Sequence, residues 1–169
     1  MDISTLANLI NALAVTAALL FAAAQVSFYR RRRRRDAMLE LVRSFQSPTF
    51  SRALRRVVEL PDNASAAEIQ QIMGTEGEDL LVHLAATWET IGGLLFHGEL
   101  TLDIIDDFFS GPILISWRKL LPYTSDQRQR YQRDTWWEWF QWLAERMMER
   151  ESKTPAVPAY IAHRGWKKP

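Results

Sequence analysis

The 169-residue sequence contains no cysteine. That absence excludes a disulfide scaffold, a cysteine-based zinc site and a thiol nucleophile. Histidine is scarce, with only His83, His97 and His163. Neither a Gly-x-Ser-x-Gly elbow nor a glycine-rich phosphate loop occurs, so the usual signatures of acyl and phosphoryl transfer are missing. Strand-type alternation is nowhere sustained, and no internal repeat is visible. Residues 3–29 have no charged side chain at all. What is present in excess is tryptophan, at 7 residues. The length suits one modest soluble domain, or a membrane span with a smaller domain behind it.

The uncharged run ISTLANLINALAVTAALLFAAAQVSFY contains Leu6 to Phe28. A transmembrane helix needs about 20 mostly apolar residues, and this segment supplies them. Asn8, Asn11, Thr16 and Gln25 are polar but neutral, which a span tolerates. Phe28 and Tyr29 fall where aromatic residues favour the interface. A cleaved secretory signal carries its positive charge before the apolar run. Here Asp2 is the only earlier charge, and six arginines, Arg30, Arg31, Arg32, Arg33, Arg34 and Arg35, follow. The expectation is an uncleaved single-pass anchor in the inner membrane of a bacterium. The positive-inside rule then predicts the N-terminus outside and the rest of the chain cytoplasmic.

Residues 36–151 hold 11 basic and 19 acidic side chains, a net charge of −8. The tail 152–169 adds +4 through Lys153, Arg164, Lys167 and Lys168. An acidic body repels phosphate, so the arginine block predicts no nucleic-acid partner. It reads instead as a topology signal and a clamp on anionic lipid headgroups, each basic residue contributing about 1 kcal/mol.

The apolar segment also has a sided pattern. Ala7, Asn11, Ala14, Ala18, Ala22 and Gln25 share a narrow arc, with Leu9, Leu13 and Leu20 broadly opposite. Small and polar residues on one face suit close helix approach. The stripe is either a docking or self-association seam, or the incidental result of a segment rich in alanine.

Beyond the arginines, Met38, Leu41, Val42 and Phe45 keep helical spacing with no break from the span. Ser47-Pro48 predicts a capped new start and a helix to Leu60. Phe50, Leu54, Val57 and Val58 would face inward, and Arg52, Arg55 and Arg56 would form a solvated face. Ser65-Ala-Ala-Glu68 fits a capping box for a short helix ending near Gly74. A longer helix follows to Phe96, with Leu80, Leu84, Trp88, Ile91 and Leu95 as its core stripe. Gly92-Gly93 costs helix stability, and a close helix crossing or a kink would explain the pair. Thr101 begins a short helix, Gly111-Pro112 another that Pro122 ends, and Ser125-Asp126 a last one reaching Glu151. The tail, with Pro155, Pro158 and Pro169, reads as irregular and mobile.

The expected fold is therefore all-α, with an N-terminal transmembrane helix continuing into a compact cytoplasmic helical domain. The expected parts are an anchor (1–29), a basic juxtamembrane helix (30–46), a helical domain (47–151) and a flexible basic tail (152–169).

Trp136, Trp139, Phe140, Leu143 and Met147 share one face of the last predicted helix and read as core. Trp137 and Trp142 lie on either side, equally suited to a core edge or to an exposed anchor for a partner or lipid. Trp166, among Arg164, Lys167 and Lys168, is a further partner-contact candidate. Asp79 and His83 are four apart, as a metal pair would be. A bundle metal site, however, wants Glu-x-x-His on two helices. Glu99, Asp103, Asp106 and Asp107 are an acidic patch without the spacing of a calcium loop. The expectation is no enzyme, no cofactor and no metal.

Several segments resemble a bacterial family of domain-of-unknown-function proteins with one span, a basic stretch and a helical cytoplasmic domain. They are Arg35-Asp36-x-x-Leu39, Phe50 to Arg56, Trp88-Glu89-x-x-Gly92, Gly98-Glu99-x-Thr101-x-Asp103, Trp117, and the aromatic run from Tyr131 to Trp142. The resemblance implies no activity and carries no site residues; Glu89 and Asp103 fit a role in pinning helices.

The sequence thus predicts a single-pass membrane protein whose helical domain binds a membrane or cytoplasmic protein, or itself. The alternative is a small accessory subunit docked in a larger membrane complex through its span. A chain starting at residue 36 should be soluble and helical by gel filtration and circular dichroism. Aggregation under every detergent condition would defeat the idea of an independent core.

Overall fold

The computed structural model describes residues 2–155 and 157–167. It leaves out the side chains of 5–7, 9–10, 30–31, 34–35, 37–38, 40 and 44. The expected roles of Ala7, Arg30, Arg31, Arg34, Arg35 and Met38 therefore fall outside the described side chains. Among the described residues the protein is all-helical, with no strand. The six helices are α1 (Ile3–Phe45), α2 (Pro48–Val58), α3 (Ala66–Phe96), α4 (Leu102–Tyr131), α5 (Glu138–Lys153) and α6 (Ala159–Ala162). The chain divides into two compact units, Met1–Arg43 and Ser44–Pro169.

The first unit is helix alone. Nothing between Ile3 and Phe45 breaks α1, as expected from the lack of glycine and proline there.

In the second unit, α2 packs on α3 and α4, and α5 packs on α3 and α4. Local signals fix several helix starts. Ser47 Oγ accepts from the Phe50 amide with Pro48 in the first turn of α2, and Ser65 with Glu68 forms a complete capping box on α3. Each such cap contributes about 1 kcal/mol. Thr101 stands at the cap position of α4 but makes no side-chain cap bond.

The core is aromatic. Trp88 of α3 and Phe140 of α5 are fully buried with ring centroids 6.4 Å apart. Trp117 of α4 meets Phe140 edge-on at 5.1 Å, and Phe50 of α2 meets Trp88 edge-on at 5.5 Å. Phe45 stacks on Phe109 at 3.8 Å. Edge-to-face pairs of this kind each contribute about 0.5–1.5 kcal/mol beyond area burial.

The structure bears out one expectation and corrects three. First, helical geometry does break at Gly74, as expected: it takes φ 63°, ψ −176°, and α3 consists of two helical segments that meet at this kink. Only glycine adopts such a conformation without strain. Second, α4 runs through Pro112 and Pro122, so neither opens nor closes a helix, and Ser125 does not start one. Each proline forfeits a backbone bond at about 3 kcal/mol. Continuous burial of Ile105, Phe109, Ile113, Trp117, Leu120 and Tyr123 offsets that loss. Third, the last helix begins only at Glu138, so Trp136 lies in the preceding turn and not on the helix. Fourth, the inward stripes are displaced. α2 buries Phe50, Ala53 and Val57 and leaves Leu54 on the rim and Val58 exposed. α3 buries Leu81, Leu84, Ala85, Trp88 and Ile91, with Leu80 and Leu95 only half-buried. A helix wedged between two neighbours turns the middle of its apolar arc inward, not the arc's edge.

Gly92 answers the question raised by the glycine pair. A methyl group there would overlap the backbone carbonyl of Trp139, so α3 and α5 cross at bare backbone. Gly93 faces open space. Gly92→Ala should lower unfolding free energy by about 1–3 kcal/mol or more through overpacking. Gly93→Ala should raise it by up to about 1 kcal/mol through helix propensity. Urea denaturation of the two variants checks both signs.

Candidate interaction surfaces

The apolar window of α1, Asn11–Tyr29, is 19 residues long with a mean hydropathy of 1.8. It is long and apolar enough to cross a membrane. On this window Asn11, Ala14, Ala18, Ala22 and Gln25, five members of the small-residue stripe, are all exposed. Thr16 donates its hydroxyl to the Ala12 carbonyl at 2.8 Å. Of the arginine block, Arg32 and Arg33 are described and exposed.

In the helical unit, several polar groups at or near the interior bond across helices. Glu89 of α3 accepts from the Phe140 amide at 2.8 Å. Its carboxylate thus caps α5 from a neighbouring helix, because the N-cap residue, Trp137, offers no side-chain acceptor. Burial holds its pKa above the ordinary 4.5, opposed by the amides of Phe140 and Trp139. This is the pinning role that the sequence allowed for Glu89.

Lys119 of α4 is buried and donates to the Leu60 carbonyl just beyond α2. Its ammonium also pairs with Asp62 at 2.7 Å. The hydrogen bond from Lys119 is the main reason Asp62 ionises below the usual carboxylate range. Arg128 Nε donates to the Trp136 carbonyl, and its Nη1 to Gln141 Oε1. It thereby holds the turn between α4 and α5, where Gln132 and Trp137 both take left-handed backbone conformations. Tyr123 donates its phenol to Glu78 at 2.8 Å, and burial pushes the phenol pKa up. Sequence reasoning assigned no role to Lys119, Arg128 or Tyr123. Each acts on a partner distant in sequence, which no local pattern records.

Two of the four carboxylates of the acidic patch share one arginine. Arg150 of α5 contacts Asp103 and Asp106, each at 2.7 Å. Asp103 thus ties α4 to α5. Asp79 and His83 are exposed, and among the described residues no group of three or more potential metal ligands converges.

The tryptophan candidates separate. Trp137 is half-buried, edge-on to Trp136 at 5.6 Å. Trp142 is half-buried beneath Phe96, edge-on at 5.9 Å, with Arg146 over its ring at 5.9 Å. Phe96 also packs on Trp139 at 4.7 Å and on His97 at 5.3 Å, yet is itself 57% exposed. Phe96, Trp139 and Trp142 therefore form one aromatic surface where α3 ends over α5. Trp166, in the tail beyond α6, is 68% exposed. The tail is not wholly irregular, since α6 supplies one turn.

The pattern of a domain of unknown function, DUF4760, matches residues 12–147. The chain belongs to the DUF4760 family. The match begins inside the apolar window and ends in α5, so the family unit includes both the long first helix and the packed helices. The resemblance read from the sequence agrees at that level, a domain without an assigned activity. No curated protein and no solved structure matches the chain.

Glu89 generates a pH prediction. Its folded carboxyl binds a proton at higher pH than the unfolded one. Its stability contribution is therefore greatest in acid and falls as pH rises above about 4.5, levelling once the folded carboxyl ionises. In Glu89→Gln this decline should vanish from urea-derived stabilities measured between acid and neutral pH. Glu89→Ala removes the cap as well and should cost about 1–2 kcal/mol.

Proposed function

We propose that this DUF4760 protein is a single-pass inner-membrane protein whose cytoplasmic helical domain binds another protein through the Phe96–Trp139–Trp142 surface. One observation carries the reading. Phe96 is the exposed ring of a three-ring aromatic cluster with Trp139 and Trp142, and aromatic side chains are enriched at the cores of protein interfaces. Glu89, Lys119 and Tyr123 are each bonded to backbone or to a side chain of a neighbouring helix, which supports a structural role for these three.

The anchor is supported by the window Asn11–Tyr29 and by the arginines that follow it. It is also supported by the family match, which includes most of that window. A signal sequence destined for removal is not a part of the working protein. The positive-inside rule favours a cytoplasmic domain.

The second reading, an accessory subunit docked through its span, draws on the exposed small-residue stripe Asn11, Ala14, Ala18, Ala22 and Gln25. Such a stripe admits another helix closely.

One experiment weighs the two. The full chain is crosslinked in native membranes, beside Phe96→Ser/Trp142→Ser and beside Asn11→Leu/Ala18→Leu. The first pair should lose the crosslinked partner and the second keep it. The opposite pattern supports docking through the span, and retention in both variants removes both readings.

A further inference from the structure

Arg52, Arg55 and Arg56 stand on one face of α2, three and four residues apart. All three are exposed, and none forms an ion pair with a described residue. Like charges at this spacing repel and destabilise a helix by a few tenths of a kcal/mol per pair. Arg55 and Arg56 lie in the last turn of α2, where positive charge suits the helix dipole, but no ion pair to a described residue employs any of the three. They are also at odds with their surroundings, because residues 36–151 carry −8 overall.

The arginines border an apolar groove. Between α2 and α4 lies an open groove of about 420 Å³, with Phe45, Phe50, Leu54, Val58 and Phe109 among its lining and Arg55 at its edge. Two apolar side chains stand proud here. Val58 is 40% exposed, and Phe108 of α4, also lining the groove, is 61% exposed. Exposed apolar side chains beside unpaired arginines form an amphipathic face, matched by a surface that is anionic outside and apolar just beneath.

We propose that this face of α2 and α4 docks on the anionic lipid headgroups of the membrane that anchors the chain, the arginines on phosphates and Val58 and Phe108 at the acyl boundary. This rests on the anchored reading above. The charge pattern selects the occupant. A second copy would bring a like-charged α2 against this one, whereas an anionic leaflet attracts these arginines and repels the acidic remainder of the domain. The result is an orientation: lipid fixes which way the domain faces, and the Phe96–Trp139–Trp142 surface is left for a protein.

The sequence has no cysteine, so Val58→Cys gives one attachment point for a fluorophore. The labelled full-length chain is placed in nanodiscs of phosphatidylcholine with or without phosphatidylglycerol, each with a headgroup-bound quencher. The Val58 label should be quenched in anionic discs and much less in neutral ones. High salt on the otherwise unaltered chain should reverse the quenching. So should Arg52→Glu/Arg55→Glu/Arg56→Glu, and the thermal melt of that variant reports its folding. A label at exposed Ser152 should stay unquenched throughout.

Protein that incorporates into discs while its Val58 label ignores lipid charge and salt overturns this inference alone. Protein that does not incorporate overturns the anchor, and this inference with it.

Discussion

The helical unit depends on the crossing of α3 and α5. Gly92 supplies a bare backbone there, and the Trp139 carbonyl occupies the space a side chain would need. One turn earlier, Glu89 caps the first turn of α5, and beside it Trp88 faces Phe140. Residues within a single turn of α3 thus set the separation, the end point and the packing of α5. Phe140 in turn meets Trp117, which brings α4 into the same core. A methylene added at this point is felt across the bundle, because close-packed interiors do not absorb volume.

The other polar groups extend the same logic. Lys119 closes the chain beyond α2, and Arg128 holds the turn that leads into α5. Arg150 joins the C-terminal part of α5 to the start of α4 through Asp103 and Asp106. Each neutralises carbonyl or carboxylate groups left at helix ends, where backbone groups lack intrahelical partners. Lys119, Arg128 and Arg150 are therefore committed to architecture. What remains for function lies outside: the apolar window of α1, the rings around Phe96, and the unpaired arginines of α2.

These three surfaces differ in chemistry. An apolar helix with small residues on one side suits lipid or another helix. Exposed aromatic rings beside a cationic Arg146 suit a protein. Arginines beside Val58 and Phe108 suit an anionic interface. On the proposed reading the three act in order, insertion, then orientation, then capture, each step confining the molecule and lowering the entropic cost of the next.

The sequence by itself determined whatever depends on neighbours in the chain. The apolar window, the arginine block, the caps at Ser47 and Ser65 and the all-helical class were legible because composition and spacing carry them. The close approach at Gly92 was legible as one of two options. Tertiary structure alone decided the course of α4 through Pro112 and Pro122, the late start of α5, and the exposure of Phe96 and Val58. It also gave Glu89, Lys119 and Arg128 their tasks. A buried face many turns long outweighs the local cost of a proline, and a carboxylate from another helix replaces a missing cap. Such terms exist only once distant segments touch, so no window of sequence contains them.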